Sequence, residues 1–370
     1  MKILVTGGAG FIGSHLVDGL LDAGHDVRVL DCLDPQVHGA ERAWPAYLSG
    51  ACERIQGDVR DPETVAQALQ GIEVVYHQAA AVGVGQSMYE IARYVSVNSL
   101  GAAVLLDAIA REGRVKRMIV ASSMSIYGEG AYVDAEGRSV HPGLRSDAQL
   151  ERREWDLIDG QGRPLALLPT PETKPLIPTS VYAVTKRDHE ELFLSVGAAY
   201  RIPTVALRYF NVYGSRHALS NPYTGVAAIF SARLLNGKAP LVNEDGLQSR
   251  DFIHVSDIAR ANLLALKCPA DGGRVFNLGT GRATSVGRIA ELLAERLGVD
   301  IQPELTGRFR AGDIRHCIAD PERARKELGF EARVALEDGI DEVIESVRAE
   351  LPHDGVEAAA RELEQRGLAR

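Results

Sequence analysis

Short apolar runs alternate with longer stretches of helical periodicity from Met1 to about Ile119. The run ILVTG predicts a short buried strand, and FIGSHLVDGLLDAG a helix ended at Gly24. DVRVLD reads as a second strand, ERIQGDV as a third, EVVYHQAA as a fourth and KRMIVASS as a fifth. PETVAQALQ predicts a helix with Pro62 in its first turn, where a missing N–H costs nothing, and SVNSLGAAVLLDAIA predicts another. Strands each followed by a crossover helix imply an α/β fold with a parallel sheet covered on both faces, the doubly wound Rossmann arrangement.

The pattern breaks from Glu129 to about Thr179, where the chain is charged, proline-rich and weakly periodic. A stretch that long without clear elements is expected to be a functional excursion. Helical periodicity returns in SVYAVTKRDHEELFLSVGAAY, followed by the strand TVALRYF; beyond Asn211 the elements are shorter and mixed. The expected division is a Rossmann domain over residues 1–212, with 129–179 inserted near its active site, and a smaller mixed α/β substrate lobe over 213–370. Residues 250–278, containing HVSDIARANLLALK and RVFNLG, are expected to return to the first domain.

Charge and cysteine usage narrow the function. A net charge of −9 opposes broad affinity for nucleic acid. No apolar run approaches the roughly 20 residues that span a bilayer, and the first residues run straight into a strand without a leader pattern. Cys32, Cys52, Cys268 and Cys317 are scattered, with no CxxC pair, which predicts reduced thiols in the cytoplasm and no metal site.

Between the first strand and its helix, TGGAGFIG places Gly7, Gly10 and Gly13 where a backbone must turn sharply and approach a pyrophosphate lying on the helix N-terminus; Phe11 and Ile12 belong to the same loop. Asp31 ends the second strand, and its carboxylate suits ribose hydroxyls and repels a 2′-phosphate, which predicts NAD rather than NADP. Asp58 and Val59 are read as the end of the third strand, beside the adenine. Gln78, Ala79 and Ala80 are read as the end of the fourth, with small side chains along the middle of the cofactor. Asn98, in the next helix, is placed to anchor that strand's backbone.

Tyr182 and Lys186 lie four apart in YAVTK and so share a helix face. A neighbouring ammonium is expected to lower the tyrosine's ordinary pKa near 10 and make it a proton carrier. Ser122 and Ser123 end the fifth strand, where a hydroxyl would hold a substrate alcohol.

With these segments in place, the chain resembles the extended short-chain dehydrogenase/reductases, specifically the nucleotide-sugar epimerase/dehydratase family. TGGAGFIG, GDVRD, YHQAA, ASSMSIYGEG, SVYAVTK, LRYFNVYG, QSRDFIHVSDIA, FNLGTG and RAGDIRHCIAD occur in family order across about residues 1 to 330. The resemblance implies that Tyr182 is the base, Lys186 its partner and ribose contact, and Ser123 the third catalytic residue. It also implies that Ser122 and Phe210 line the cofactor, and that Ser125, Asn211, Val226, Arg250, Arg310 and Asp313 meet a nucleotide-diphosphate sugar.

After Ser123, related dehydratases carry Asp-Glu and decarboxylases keep the Glu, whereas this chain has Met124 and Ser125, neither a carboxylic acid. That implies hydride chemistry without net redox change, as in 4-epimerases that pass through a 4-keto sugar. The excursion resembles that of dTDP-L-rhamnose 4-epimerases and related deoxysugar epimerases, although DGQGRPL lacks the cysteines such relatives often carry there. A reductase or dehydrogenase with net hydride transfer is the alternative within enzymes, and a non-catalytic scaffold the alternative outside them. The apolar faces of residues 98–110 and 182–199 imply a homodimer like those of similar proteins.

Overall fold

A computed structural model of the protein describes residues 1–217, 225–310, 312–350 and 356–370. Its centre is a seven-stranded sheet built from β1 (Lys2–Thr6), β2 (Asp26–Asp31), β3 (Glu53–Gln56), β4 (Val74–His77), β5 (Arg117–Ser123), β6 (Thr204–Tyr209) and β7 (Arg274–Leu278). The order is β7-β6-β5-β4-β1-β2-β3, and every pairing is parallel. The order reverses between β1 and β4, so a crevice opens beyond their carboxyl ends.

Eight helices carry the argument: α1 (Phe11–Asp22), α2 (Pro62–Leu69), α3 (Gly101–Glu112), α4 (Val181–Tyr200), α5 (Val226–Leu235), α6 (Val255–Ala265), α7 (Val286–Leu297) and α8 (Leu336–Glu350). Side chains alternate across a strand. Ile3 and Val5 therefore face a layer that includes Leu16 and Leu20 of α1 and Ile258 and Ala261 of α6. Leu4 faces the opposite layer, where Val65 of α2, Leu105 and Ile109 of α3 and Phe193 of α4 lie. The smaller lobe has its own core, in which Phe230 of α5, Leu293 of α7 and Ile344 of α8 meet.

Three sequence expectations need correction. β3 and β4 stop at Gln56 and His77, so Asp58, Val59 and residues 78–80 lie just past the strands. The helix through Asn98 is π-helical over Val95–Leu100 before α3 begins. The excursion has structure: Ala131–Val133 pairs antiparallel with Ser139–Val140 and with Ala166–Leu168, and Asp147–Glu151 is helical. Strands of two or three residues carry too little alternation to be seen in sequence. Among the described residues no helix is long and apolar enough to cross a membrane.

Candidate active site

Packing requires glycine at two points of the loop after β1. A Cβ on Gly7 (φ +70°) would lie 2.7 Å from the Ala79 nitrogen, and one on Gly13 would lie 2.1 Å from the Gly7 carbonyl oxygen. Gly10 differs, because its added Cβ would meet nothing nearer than 3.4 Å. It is the N-cap of α1 and supplies no side-chain cap, which leaves the first turn, at Phe11 and Ile12, open to an anion. The Phe11 ring stacks on His217, with centroids 4.0 Å apart. Burial pushes His217 down to about 4, so it stacks as a neutral ring.

Asp31 is buried and props this loop: it accepts from the Ala9 N–H at 3.0 Å and from the Leu33 N–H at 2.9 Å. Burial pushes its pKa up, and the backbone donors oppose that. Each carboxylate oxygen keeps a lone pair for a ribose hydroxyl. Asp58 instead turns to Arg60, at 2.9 and 2.5 Å, and Val59 is buried in the core. Gln78 donates to the Tyr209 hydroxyl at 3.1 Å, and the Ala79 N–H points to Thr6 Oγ1 at 3.4 Å, with Ala80 next along the chain. Asn98 accepts from the Ala81 N–H at 2.8 Å and donates to the Ala81 carbonyl at 3.1 Å, pinning this strand end. The glycine cradle, the uncapped helix end and the carboxylate at the end of β2 together fit NAD.

The residues expected to be catalytic, Ser123, Tyr182 and Lys186, meet at the carboxyl end of β5. Ser180 caps α4 by accepting from the Ala183 N–H, and Ser87 Oγ accepts from the Tyr182 N–H at 3.0 Å. Ser123 faces Tyr182 closely enough to oppose the burial shift of its hydroxyl, and its Oγ receives the Ser125 hydroxyl at 2.9 Å. Lys186 is buried with its Nζ 3.4 Å from His189 Nδ1. His189 Nε2 lies 2.8 Å from the Asn98 carbonyl. A carbonyl only accepts, so Nε2 carries the hydrogen and Nδ1 offers its lone pair to Lys186. The His77 ring lies 5.1 Å from that of His189, and its buried Nε2 has no partner.

Burial dominates the electrostatics here. It pushes Lys186 down to about 7, against the nearby charge of Glu190, which opposes it. His77 falls to about 3, and His189 well below the usual histidine range. Tyr182 is pushed up to about 12 by burial, against the Ser123 hydrogen bond. The expected lowering of Tyr182 by a lysine ammonium is therefore not what the protein alone presents, because the same burial disfavours both the ammonium and the phenolate.

Beneath this group runs a buried polar chain that sequence reasoning missed. Ser122 donates to Glu190 at 2.7 Å, Glu190 pairs with Arg208 at 2.9 Å, Arg208 donates to the Tyr127 hydroxyl at 2.6 Å, and Tyr127 donates to Asn277 at 2.7 Å. Ser122 is thus committed to α4. Phe210 is buried with Met124, Tyr127, Ile314 and Cys317. His189 was legible in principle, since it lies three residues beyond Lys186, within one helical turn.

Beside the glycine loop, Asn211, Gly214, His217, Val226 and Phe252 line a small open cleft, and the Asn211 side-chain oxygen is buried without a partner. Arg250 uses its terminal nitrogens on the carbonyls of Ser249, Ile314 and Arg315 at 2.8, 2.7 and 3.0 Å. Arg310 is exposed, and its carbonyl accepts from the Asp313 N–H at 3.2 Å. Among the described residues, no three His, Cys, Asp or Glu side chains group to hold a metal ion.

Residues 3–144 and 160–279 match the NAD dependent epimerase/dehydratase family. The chain is 37% identical over 355 residues to the dTDP-L-rhamnose 4-epimerase of Burkholderia thailandensis, covering 95% of this chain and 96% of that enzyme. Among solved structures, UDP-glucose 4-epimerase of Thermotoga maritima with UDP-glucose matches at TM-score 0.78 and 34% identity, covering 95% of this chain and 100% of that one. The UDP-glucose 4-epimerase of Thermus thermophilus in complex with NAD matches at TM-score 0.73 and 30% identity, over the same shares.

Proposed function

The chain belongs to the NAD-dependent epimerase/dehydratase family, and we propose that it is a nucleotide-sugar 4-epimerase acting on a dTDP-linked 6-deoxyhexose. The observation that carries the reaction is the meeting of Tyr182 with Ser123 at the carboxyl end of β5, with no carboxylic acid in the two positions that follow. Met124 is buried there, and Ser125 bonds back to Ser123. Glu190, the buried carboxylate on the catalytic helix, is already held by Arg208 and Ser122. The site can move a proton on and off a sugar hydroxyl but offers no placed acid for expelling water.

When bound, NAD supplies reversible hydride acceptance at the sugar carbon. The chain's own share is proton handling and orientation. Ser123 holds the 4-hydroxyl, Tyr182 Oη takes its proton and later returns it, and Lys186 stands behind the tyrosine. Gly7, Gly10, Gly13 and Asp31 hold NAD, and Asn211, Val226, Arg250, Arg310 and Asp313 hold the nucleotide end. The deoxyhexose reading is supported by the Burkholderia thailandensis relative, with which similarity runs across nearly the whole of both chains.

We further infer a homodimer, supported by the exposed apolar side chains of Ile91, Val95, Leu100 and Val184 along two neighbouring helices, and a cytoplasmic location, supported by four free cysteines. The deciding experiment incubates the purified enzyme with dTDP-L-rhamnose, UDP-glucose and UDP-glucuronic acid and reads the C4 configuration by NMR. Inversion of the dTDP sugar without net NADH formation is expected. Tyr182→Phe should keep bound NAD and lose on the order of 10²–10⁴-fold in rate.

A further inference from the structure

Glu244 has φ 55°, a left-handed conformation uncommon outside glycine. Its buried carboxylate receives Arg145 at 2.8 and 2.9 Å and Arg315 at 2.9 Å. Both arginine side chains are 1% exposed. Arg315 also pairs with Asp245 at 2.7 Å and Asp156 at 2.9 Å. Burying so many charges is costly unless geometry is the return, and the geometry here has one direction. Arg145 and Asp156 belong to the excursion of residues 129–179, whereas Glu244, Asp245 and Arg315 belong to the smaller lobe.

The same excursion grips the backbone beside Asp313 at three further points. Arg145 donates to the Asp313 carbonyl at 3.3 Å, Thr179 donates to the Gly312 carbonyl at 3.0 Å, and Glu129 accepts from the Arg315 N–H at 2.7 Å. Gly312 (φ +84°) has no room for a Cβ, which would lie 2.9 Å from the Thr179 carbonyl oxygen. The Asp313 N–H in turn holds the Arg310 carbonyl.

We infer that the excursion is the scaffold that sets the position of Arg310 and Asp313, and that Arg145, Glu244 and Thr179 are positioning residues for the diphosphate end of the site. The inference rests on the nucleotide-sugar reading and deepens it. An excursion expected to be functional and inserted near the active site thereby acquires a definite task, fixing where the nucleotide is gripped.

The test uses the full-length protein with its NAD. Arg145→Met combined with Glu244→Gly removes one positive and one negative charge, leaves Arg315 facing Asp156 and Asp245, and puts glycine where φ favours it. Thr179→Val removes a single hydrogen bond with little change of shape, and decides the matter if the double variant does not fold. Calorimetry with dTDP and UDP, NAD content by absorbance, and the KM and kcat of C4 inversion are measured for each. Expected is a nucleoside diphosphate Kd about tenfold weaker in the double variant and about threefold weaker in Thr179→Val. KM should rise in step, kcat should fall less than KM rises, and NAD content should hold. Unchanged Kd in the folded variants overturns the inference, and so does NAD loss in proportion to lost dTDP binding. A wild-type protein that keeps NAD but binds neither dTDP nor UDP overturns the nucleotide-sugar reading itself, and the scaffold role with it.

Discussion

His189 offers Nδ1 to Lys186 at 3.4 Å while Asn98 holds its other nitrogen at 2.8 Å, so the lysine one turn from Tyr182 is itself held by a neutral ring of fixed tautomer. Asn98 also pins the strand end at Ala81. One residue thereby links the end of β4 to the helix that carries Tyr182 and Lys186.

His189→Leu should therefore lower kcat by about tenfold, with KM and NAD content held, because Lys186 loses its only neutral acceptor among the contacts described for its Nζ. His189→Asn, whose amide can place an oxygen near the position of Nδ1, should recover most of the loss. Steady-state kinetics on both variants check this, and equal rates in Leu and Asn variants would count against it.

Lys186 also makes stability depend on pH. Its pKa is about 7 in the folded protein against 10.5 ordinarily. Between those values the unfolded chain binds a proton that the folded chain does not, so this group adds stability as pH rises through the window and withdraws it as pH falls toward 7. Other groups facing it, Glu190, His77 and His189, stay in the comparison when Lys186→Met is the reference. The stability difference between wild type and variant should grow in favour of wild type by up to about 1.4 kcal/mol per pH unit. Urea unfolding from pH 7 to 10 measures it, and parallel curves would contradict it.

Asp31 should make the protein prefer NAD over NADP. Asp31→Asn removes the charge but keeps an acceptor, so NAD binding should weaken by about 1 kcal/mol and the gap to NADP should narrow. Asp31→Ala additionally strands the Ala9 and Leu33 N–H groups and should lower Tm further. Cofactor titration with thermal melting separates the two effects; equal affinity of the wild type for both cofactors would remove the role.

The glycines of the first loop should divide by mutation. Gly13→Ala drives a methyl against the Gly7 carbonyl and should unfold the loop, lowering Tm. Gly10→Ala has room within the protein and should leave Tm within a few degrees while weakening NAD by about tenfold. Melting curves and NAD titration on the pair distinguish packing from ligand approach.

Val184, exposed on α4, faces outward with Val95 and Leu100 nearby in the fold. Val184→Lys should convert a dimer into monomers at micromolar concentration, as read by light scattering. A monomeric wild type would remove the dimer.

The alternating strands, the glycine loop and the tyrosine–lysine pair were legible because each is a local pattern: a period, a spacing, a required residue type. Asp31 was legible from position alone. What stayed hidden depends on distance in the chain. Glu190, Arg208, Tyr127 and Asn277 form one polar chain, yet sequence separates Tyr127 from Asn277 by 150 positions. Arg145 and Glu244 lie 99 apart. The rise of Tyr182 to about 12 was misjudged because burial, which a sequence does not display, outweighs the charge that it does.

β7 bears on how the protein is made. It pairs with β6 along Arg274–Leu278, yet the start of the smaller lobe, including α5, is synthesised between them. All six residues of β6 are buried, so until residue 278 has left the ribosome one side of this apolar strand has no neighbour, and unpaired edges of that kind invite association with other chains. A fragment of residues 1–212 would hold the complete glycine loop and Tyr182 and still be a poor folding unit. Cutting the protein between its lobes would therefore break the sheet, and the two lobes should be lost together on unfolding.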